Sequence, residues 1–426
     1  MSGRLRVPAA TLVRAGRASA ALPATRFELS EAGWADLAER LLTDPIAASG
    51  LWSDGEQVHV LLLESPDAPL IASGPVEAKR FLALSPMRPL LTVPERMVRD
   101  LWGIEAMGAR DLRPWLDHGM WTQSAPLASR PGPVAWPPEP PEFLWTEEDE
   151  RAGAMALPIG PVQPLLQGPG QLRVAVCGER VRRLEMLLGS SHRGVALRLH
   201  GAGPVEAGLL VGRIDATRCV AYEAAFAQAV ESAFGWSVDG PTRGLRSAMV
   251  ALERIANRLR ASGDVACRDR LLEACAAAFG HRLMRGAIGP GGWARRPDER
   301  ALEHLPAALS LLEPSLARTD RPAEDPLETK RDLAIVRRGL SGLLPFVPAT
   351  PALPAGVREG LGSAETLFGP LWVWVRFENG TVTAWHAVDP ALARVHALEQ
   401  AAPGTALDVL LAEIARLGLS VAGADQ

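Results

Sequence analysis

Apolar residues recur at helical spacing over residues 30–44, where Trp34, Leu37, Leu41 and Leu42 fall on one face and Ser30 is placed to cap the N-terminus. Residues 58–65, VHVLLLES, read as a buried strand, with residues 69–73 as a short partner. A helix is predicted from about Glu95, carrying ERMVRDLWGIEAMGARDLRPWL. Beyond Pro158 the pattern is mainly helical. Residues 215–235 set Tyr222, Phe226, Ala229 and Ala233 on one stripe, and residues 245–259, 264–284, 299–316 and 325–343 repeat the spacing. Near the end, PLWVWVRFENGTVTAWHAVDP places two β-rich runs around Asn379-Gly380, the preferred pair for a type I′ hairpin. A last helix is expected over residues 406–417, and no internal repeat is visible.

Between these halves the character changes. Residues 125–158 contain SRPGPVAWPPEPPEF, too proline-dense for a helix or a central strand, followed by the acidic TEEDER. This is the expected domain boundary, a semi-rigid arm whose Trp136, Phe143 and Trp145 suit a protein surface. Residues 345–356 form a second proline-rich connection.

The chain has 426 residues, more than one core usually fills, so two domains are expected. Its net charge of −4 gives no argument for nucleic acid as a partner. Lysine occurs only at Lys79 and Lys330, so nearly all cations are arginines. No apolar run approaches the roughly 18 residues of a membrane span, and the Arg-rich N-terminus lacks the apolar centre of a secretory signal. It reads as a flexible lead-in, and the chain as a cytoplasmic one. Cys177, Cys219, Cys267 and Cys275 form no CxxC pair, so spacing proposes neither zinc nor an iron–sulfur cluster. They read as small apolar packers, with Cys267 and Cys275 able to share a helix face.

Residues 172–194, LRVAVCGERVRRLEMLLGSSHRG, carry the most specific chemistry. An apolar run and a basic amphipathic segment lead into a turn that sets His192 beside Arg193, with glycines on either side, Gly194 among them, that let the backbone approach a neighbour. Tyr222 is the only tyrosine. From the residues alone, His192 is an exposed turn residue or a proton donor, and Tyr222 a core aromatic or a hydroxyl donor.

Two stretches resemble known families. In ERMVRDLWGIEAMGARDLRPWL, Glu95, Arg96, Asp100, Leu101, Trp102, Gly103, Ile104, Asp111, Leu112 and Arg113 fit the small peripheral-arm subunit of respiratory complex I, whose role is docking. The blocks GPVQP from Gly160, GERVRRLEMLLGSSHRG from Gly178, VAYEAAFAQAVESAFG from Val220, ALERIANRL from Ala251 and FGHRLMRGAIGPGG from Phe279 resemble a second subunit, as do the hairpin, VDPAL and LSVAGADQ. That subunit is the quinone-site large subunit of complex I, with its relative, the large subunit of group-four nickel–iron hydrogenases. The fusion is similar to the arrangement in formate hydrogenlyase-type complexes. The resemblance implies an α+β chain: a small α/β domain over residues 1–124, a linker over 125–158, and a shortened, mainly helical hydrogenase-large-subunit-like domain with a small β-hairpin over 159–426.

Departures from the pattern shape the expected function. A nickel–iron centre needs thiolates from two CxxC pairs. After Arg213-Ile214 this chain has Asp215-Ala216-Thr217-Arg218, and near the C-terminus Ser420 and Gly423 stand in the matching places. No metal ligands and no catalytic residues are therefore assigned. Gln163 replaces the family's histidine, Ala196 its glutamate, and the middle of the domain is shorter. The resemblance makes His192 and Tyr222 the pair that would hold a quinone head, with Arg193 and Gly194 facing a cluster-bearing partner. No cofactor is bound by the chain itself. Electrons would come from an iron–sulfur cluster in a small partner subunit, with membrane-embedded subunits alongside, on the inner face of the cell membrane. The alternative is a non-catalytic structural or assembly subunit whose redox site has decayed.

Overall fold

Regular structure begins earlier than the expected flexible lead-in allows. Residues 9–14 form α1 (Ala9–Arg14), because Ala9 and Val13 have a core to enter and the Ala9 amide is held by Asp44 Oδ2 at 2.8 Å. The computed structural model describes residues 7–22, 24–119, 121–133, 143, 145–190, 192–316, 326–341 and 352–424. Trp136 and residues 342–351 of the second proline-rich connection lie outside these.

After α1 come β1 (Arg17–Ala18), β2 (Arg26–Glu28) and α2 (Glu31–Leu41). Ser30 caps α2 as expected, its Oγ accepting the Gly33 amide at 3.1 Å. Trp34, Leu37, Ala38 and Leu41 are buried, but Leu42 is 60% exposed because the helix ends one residue earlier and that position rotates off the apolar face. Strands β3 (Ala47–Ser53), β4 (Gln57–Ser65) and β5 (Ala68–Pro75) complete a sheet in the order β1-β2-β5-β4-β3, with only β2–β5 parallel. Next come β6 (Arg80–Leu82) and α3 (Thr92–Trp102). The helix expected from Glu95 is cut short: Gly103 takes the left-handed conformation at φ 66° and caps it, and the chain continues as β7 (Glu105–Met107), paired with β6.

The acidic run expected in the linker forms α4 (Glu147–Arg151), closed by a capping box between Thr146 and Asp149. The linker's last residues join β8 (Met155–Ile159), which pairs with β9 (Gln171–Cys177), itself paired with β10 (Arg180–Leu187). Pro158 is tolerated there because β8 is an edge strand. Short helix α5 (Val195–Leu199) follows the His192 turn.

Helix α6 (Pro204–Val211) leads into α7 (Cys219–Phe234), α8 (Gly240–Ala261) and α9 (Val265–Phe279). The last three match the predicted helical stripes, and left-handed Gly235 and Gly280 end α7 and α9. A two-strand pair, β11 (Ile288–Gly289) and β12 (Gly292–Trp293), precedes α10 (Glu299–Leu316) and α11 (Pro326–Leu340). The hairpin stands at the predicted turn, Asn379 at φ 49° and Gly380 at φ 84° joining β14 (Gly369–Glu378) to β15 (Thr381–Val388). Sequence reasoning missed its outer partner β13 (Val357–Thr366) and the helix α12 (Pro390–Ala401); α13 (Leu407–Leu417) ends the regular structure.

The chain divides into two compact units. One comprises Met1–Leu197, Ala391–Ala415 and Ala424–Gln426, the other Arg198–Pro390 and Arg416–Gly423. Residues 159–197, assigned from sequence to the second domain, thus pack in the first unit. In the second unit, α7 lies against β13 at backbone distance. A Cβ on Gly360 would sit 1.8 Å from the Ala229 carbonyl oxygen, and one on Gly362 2.1 Å from that of Ala225.

Candidate functional site

The positions where the family resemblance calls for thiolates come together in the second unit. Asp215 ends the loop after α6, and its carboxylate accepts the Thr217 amide at 2.7 Å and the Thr217 hydroxyl at 2.8 Å, which turns the chain into α7. Arg218, one residue before α7, donates from Nη2 to Asp215 Oδ2 at 2.6 Å and from Nη1 to Asp389 Oδ1 at 2.6 Å. Its Nη2 also donates to the Ser420 carbonyl at 3.0 Å. The Tyr222 hydroxyl, one turn along α7, donates to the other Asp389 oxygen at 2.5 Å. Gly423 closes the ring: a Cβ there would lie 1.9 Å from Asp389 Oδ2 and 2.3 Å from the Tyr222 hydroxyl.

All of these side chains are buried, and Tyr222 has 0% exposure. Burial alone would raise the Asp215 carboxyl, but the Arg218 charge and the hydrogen bonds from Arg218 and Thr217 together outweigh it and hold the group below its ordinary value. Burial, then the Asp389 charge, pushes the Tyr222 phenol well up, so it stays a neutral donor. One guanidinium bridges two carboxylates and a neutral phenol donates to one of them, so the knot keeps one net negative charge.

Glu253 supports it from α8, accepting the Val220 amide at 2.7 Å and the Ala221 amide at 3.1 Å, so a side chain caps the free end of α7. Burial pushes this carboxyl up to about 8 against the pull of those amides. Glu223 is similar: burial raises it to about 7 while it accepts the Gly286 amide at 2.5 Å. Cys219, the remaining cysteine of this region, donates to the Leu283 carbonyl at 3.1 Å, and burial followed by Glu253 pushes its thiol well up. Such a thiol is a packed donor, not a ready ligand.

These residues do not fit a thiolate-held nickel–iron centre. A guanidinium cannot coordinate a cation, and Arg218 sits among the positions that would have to supply ligands. Among the described residues no group of three or more His, Cys, Asp or Glu is arranged to hold a metal.

His192 stands elsewhere, in the first unit. Its amide donates to the Gly189 carbonyl at 3.2 Å, closing the turn, and its half-buried ring lies against Trp121 with centroids 4.9 Å apart. Arg193 is exposed, and Gly194 has φ 62°. Gln163, in the place of the family histidine, accepts the Leu165 and Leu166 amides and so organises its own loop. Sequence reasoning noted Asp215 and Arg218 only as missing cysteines and passed over Asp389 within VDPAL. Their role was hidden because Arg218 and Asp389 are 171 positions apart.

The fold is α+β and hydrogenase-large-subunit-like. The membrane-bound sulfane sulfur reductase, an archaeal respiratory membrane complex, contains a chain that superposes with a TM-score of 0.56 at 18% identity, covering 66% of this chain and all of that one. A Ni-Fe-Se hydrogenase from Desulfovibrio vulgaris Hildenborough superposes with a TM-score of 0.55 at 12% identity over 64% of this chain. In sequence, the chain is similar to hydrogenase-4 component G of Escherichia coli K12, 26% identical over 188 residues, and to its formate hydrogenlyase subunit 5, 28% identical over 188 residues. These matches take in 43% and 42% of this chain and 34% and 32% of the two relatives. An NADH-quinone oxidoreductase subunit of Protochlamydia amoebophila is 26% identical over 178 residues, 38% of this chain and 44% of that protein. The chain thus spans under half the length of the curated relatives it matches. No family model matches it. No described helix is long and apolar enough to cross a membrane.

Proposed function

We propose that this chain is a peripheral docking subunit of a membrane-associated redox complex of the complex I and group-four hydrogenase type, and that it performs no metal chemistry itself. One observation carries this reading: Arg218, Asp215, Asp389 and Tyr222 are ion-paired and hydrogen-bonded to one another at the positions where relatives with a metal centre would need thiolates. A buried network satisfied in this way rigidifies the fold and leaves no group directed at a substrate. Its partners are an iron–sulfur small subunit, which carries the cluster, and membrane-embedded subunits at the inner face of the cell membrane. Residues 1–124 correspond to the small peripheral-arm subunit and residues 159–426 to the large one, with 125–158 as connection. Exposed Arg193 and the adjoining Gly194 face the cluster-bearing partner.

A second reading keeps His192 and Tyr222 as donors to a quinone head. It is favoured by the half-buried His192 ring on its glycine-flanked turn beside Trp121. Affinity purification of the tagged chain from native membranes tests the first proposal. Stoichiometric iron–sulfur and membrane subunits support it, and recovery of the chain alone overturns it. Quinone reduction by that assembly separates the readings. Tyr222→Phe keeps the ring and deletes the hydroxyl; as an oxyanion donor its loss would slow turnover about a hundredfold or more. Turnover unchanged in Tyr222→Phe and His192→Ala, with assembly intact, leaves the docking role.

A further inference from the structure

The second unit has a cleft of about 320 Å³ where α7, α8, α11 and β13 meet, lined by four arginines. Arg243, Arg246, Val250 and Arg254 lie at helical spacing along one face of α8, and Arg331 faces them from α11. Two of these cations are already committed. Arg246 pairs with Glu231 at 2.9 Å and donates to the Gly289 and Gly292 carbonyls, and Arg254 donates to Asp332 at 3.0 Å and to the Glu365 carbonyl at 3.1 Å. The acids behind the cleft are therefore neutralised, and Glu231 is further held by the Gly291 amide at 2.8 Å. Glu365 is exposed at the rim.

The other two arginines are available. Arg243 donates only to the Val238 carbonyl, and exposed Arg331 takes part in no ion pair or hydrogen bond among the described residues. Gln228 gives its carbonyl to the Ser363 amide at 2.6 Å, which leaves its NH₂ group free to donate, and the Ser363 hydroxyl lies in the same lining. Donors thus converge from four elements, with Ala224, Val250 and Ile335 as an apolar floor. Guanidinium forks suit carboxylate and phosphate alike, but donors spread over four elements match the diverging oxygens of a tetrahedral oxyanion better than a planar carboxylate. The volume is at the small end of ligand pockets, enough for a phosphate and a few further heavy atoms.

We propose that this cleft binds a small phosphate monoester, its oxyanion held by Arg243 and Arg331 with Gln228 and Ser363 as neutral donors. The site is independent of the Arg218 knot and of the function proposed above.

The test is titration of the full chain with inorganic phosphate and with glycerol 3-phosphate, followed by calorimetry, with succinate as the planar control. Expected are one site per chain, competition between the two phosphates, and affinity weakened roughly ten- to hundredfold by Arg331→Ala. Thermal unfolding should be unchanged in that variant, since Arg331 makes no contacts that folding needs. Arg331→Lys should weaken binding less. Absence of binding at tens of millimolar overturns the proposal, as does equal affinity for succinate. Binding that survives both Arg331→Ala and Arg243→Ala would be an adventitious ion only and overturns it as well.

Discussion

Replacing Arg218 by methionine tests the central reading of the knot. The change keeps much of the side-chain volume and removes the cation that bridges Asp215 and Asp389. Two carboxylates, 1% and 2% exposed, would be left without a counter-charge, and the Ser420 carbonyl would lose its donor. Removing one partner of a buried ion pair typically destabilises by about 3–5 kcal/mol. The second unit should lose about that much at pH 7 in urea unfolding. The pH dependence identifies the cause. In the native protein Asp215 lies below its ordinary value, so its contribution is present above that value and is lost as pH falls through the folded one. Without Arg218 burial dominates, the Asp215 carboxyl rises, and protonation relieves the variant. Its deficit should therefore shrink as pH is lowered from 7 to 5. Asp389→Asn in the Arg218→Met background removes one of the two anions and should recover part of the loss, a coupling that a double-mutant cycle measures. A loss below about 1 kcal/mol, or a deficit that does not change with pH, would refute the argument.

Other perturbations have equally definite outcomes. Gly360→Ala puts a Cβ 1.8 Å from the Ala229 carbonyl oxygen, so chemical unfolding should show at least about 1–3 kcal/mol of lost stability; unchanged stability would mean that α7 and β13 are not in backbone contact. Glu253 is raised to about 8 from 4.5, so it holds its proton in the folded state and gives up stability as pH rises between those values. Glu253→Gln keeps an acceptor for the α7 amides and should flatten that decline in a pH series of melting temperatures. In the first unit, burial raises Asp54, but the His59 imidazole, 3.3 Å away, and the Gln57 and Glu56 amides together outweigh it and hold the carboxyl well below its usual range. Its contribution is present above the ordinary value and lost on acidification, so Asp54→Asn should be destabilised at pH 7 and show a shallower acid transition; identical acid curves would contradict this.

Local chemistry made much of the fold legible in the sequence. Ser30 before an apolar stripe and Asn379-Gly380 between β-rich runs are each decided by a few adjacent residues, and each stands where local rules put it, whereas the helix expected over residues 264–284 stops at left-handed Gly280. The departures are visible in the sequence itself: no CxxC pair stands where the resembled family has its thiolates. Tertiary structure decided the rest. Leu42 and the stop at Gly103 depended on where helices end against their neighbours, and β13 is a strand through its ladder with β14, with Gly360 and Gly362 letting α7 approach its backbone. Tyr222 read as a core aromatic before it read as a donor, and its donor role depended on Asp389, 167 positions away. Arg218 likewise looked like a missing cysteine until the fold set Asp215, Asp389 and the Ser420 carbonyl around it. Backbone preferences act over a few residues, whereas the partners of a buried charge are chosen by the whole fold, because low dielectric makes any unpaired charge too costly to keep.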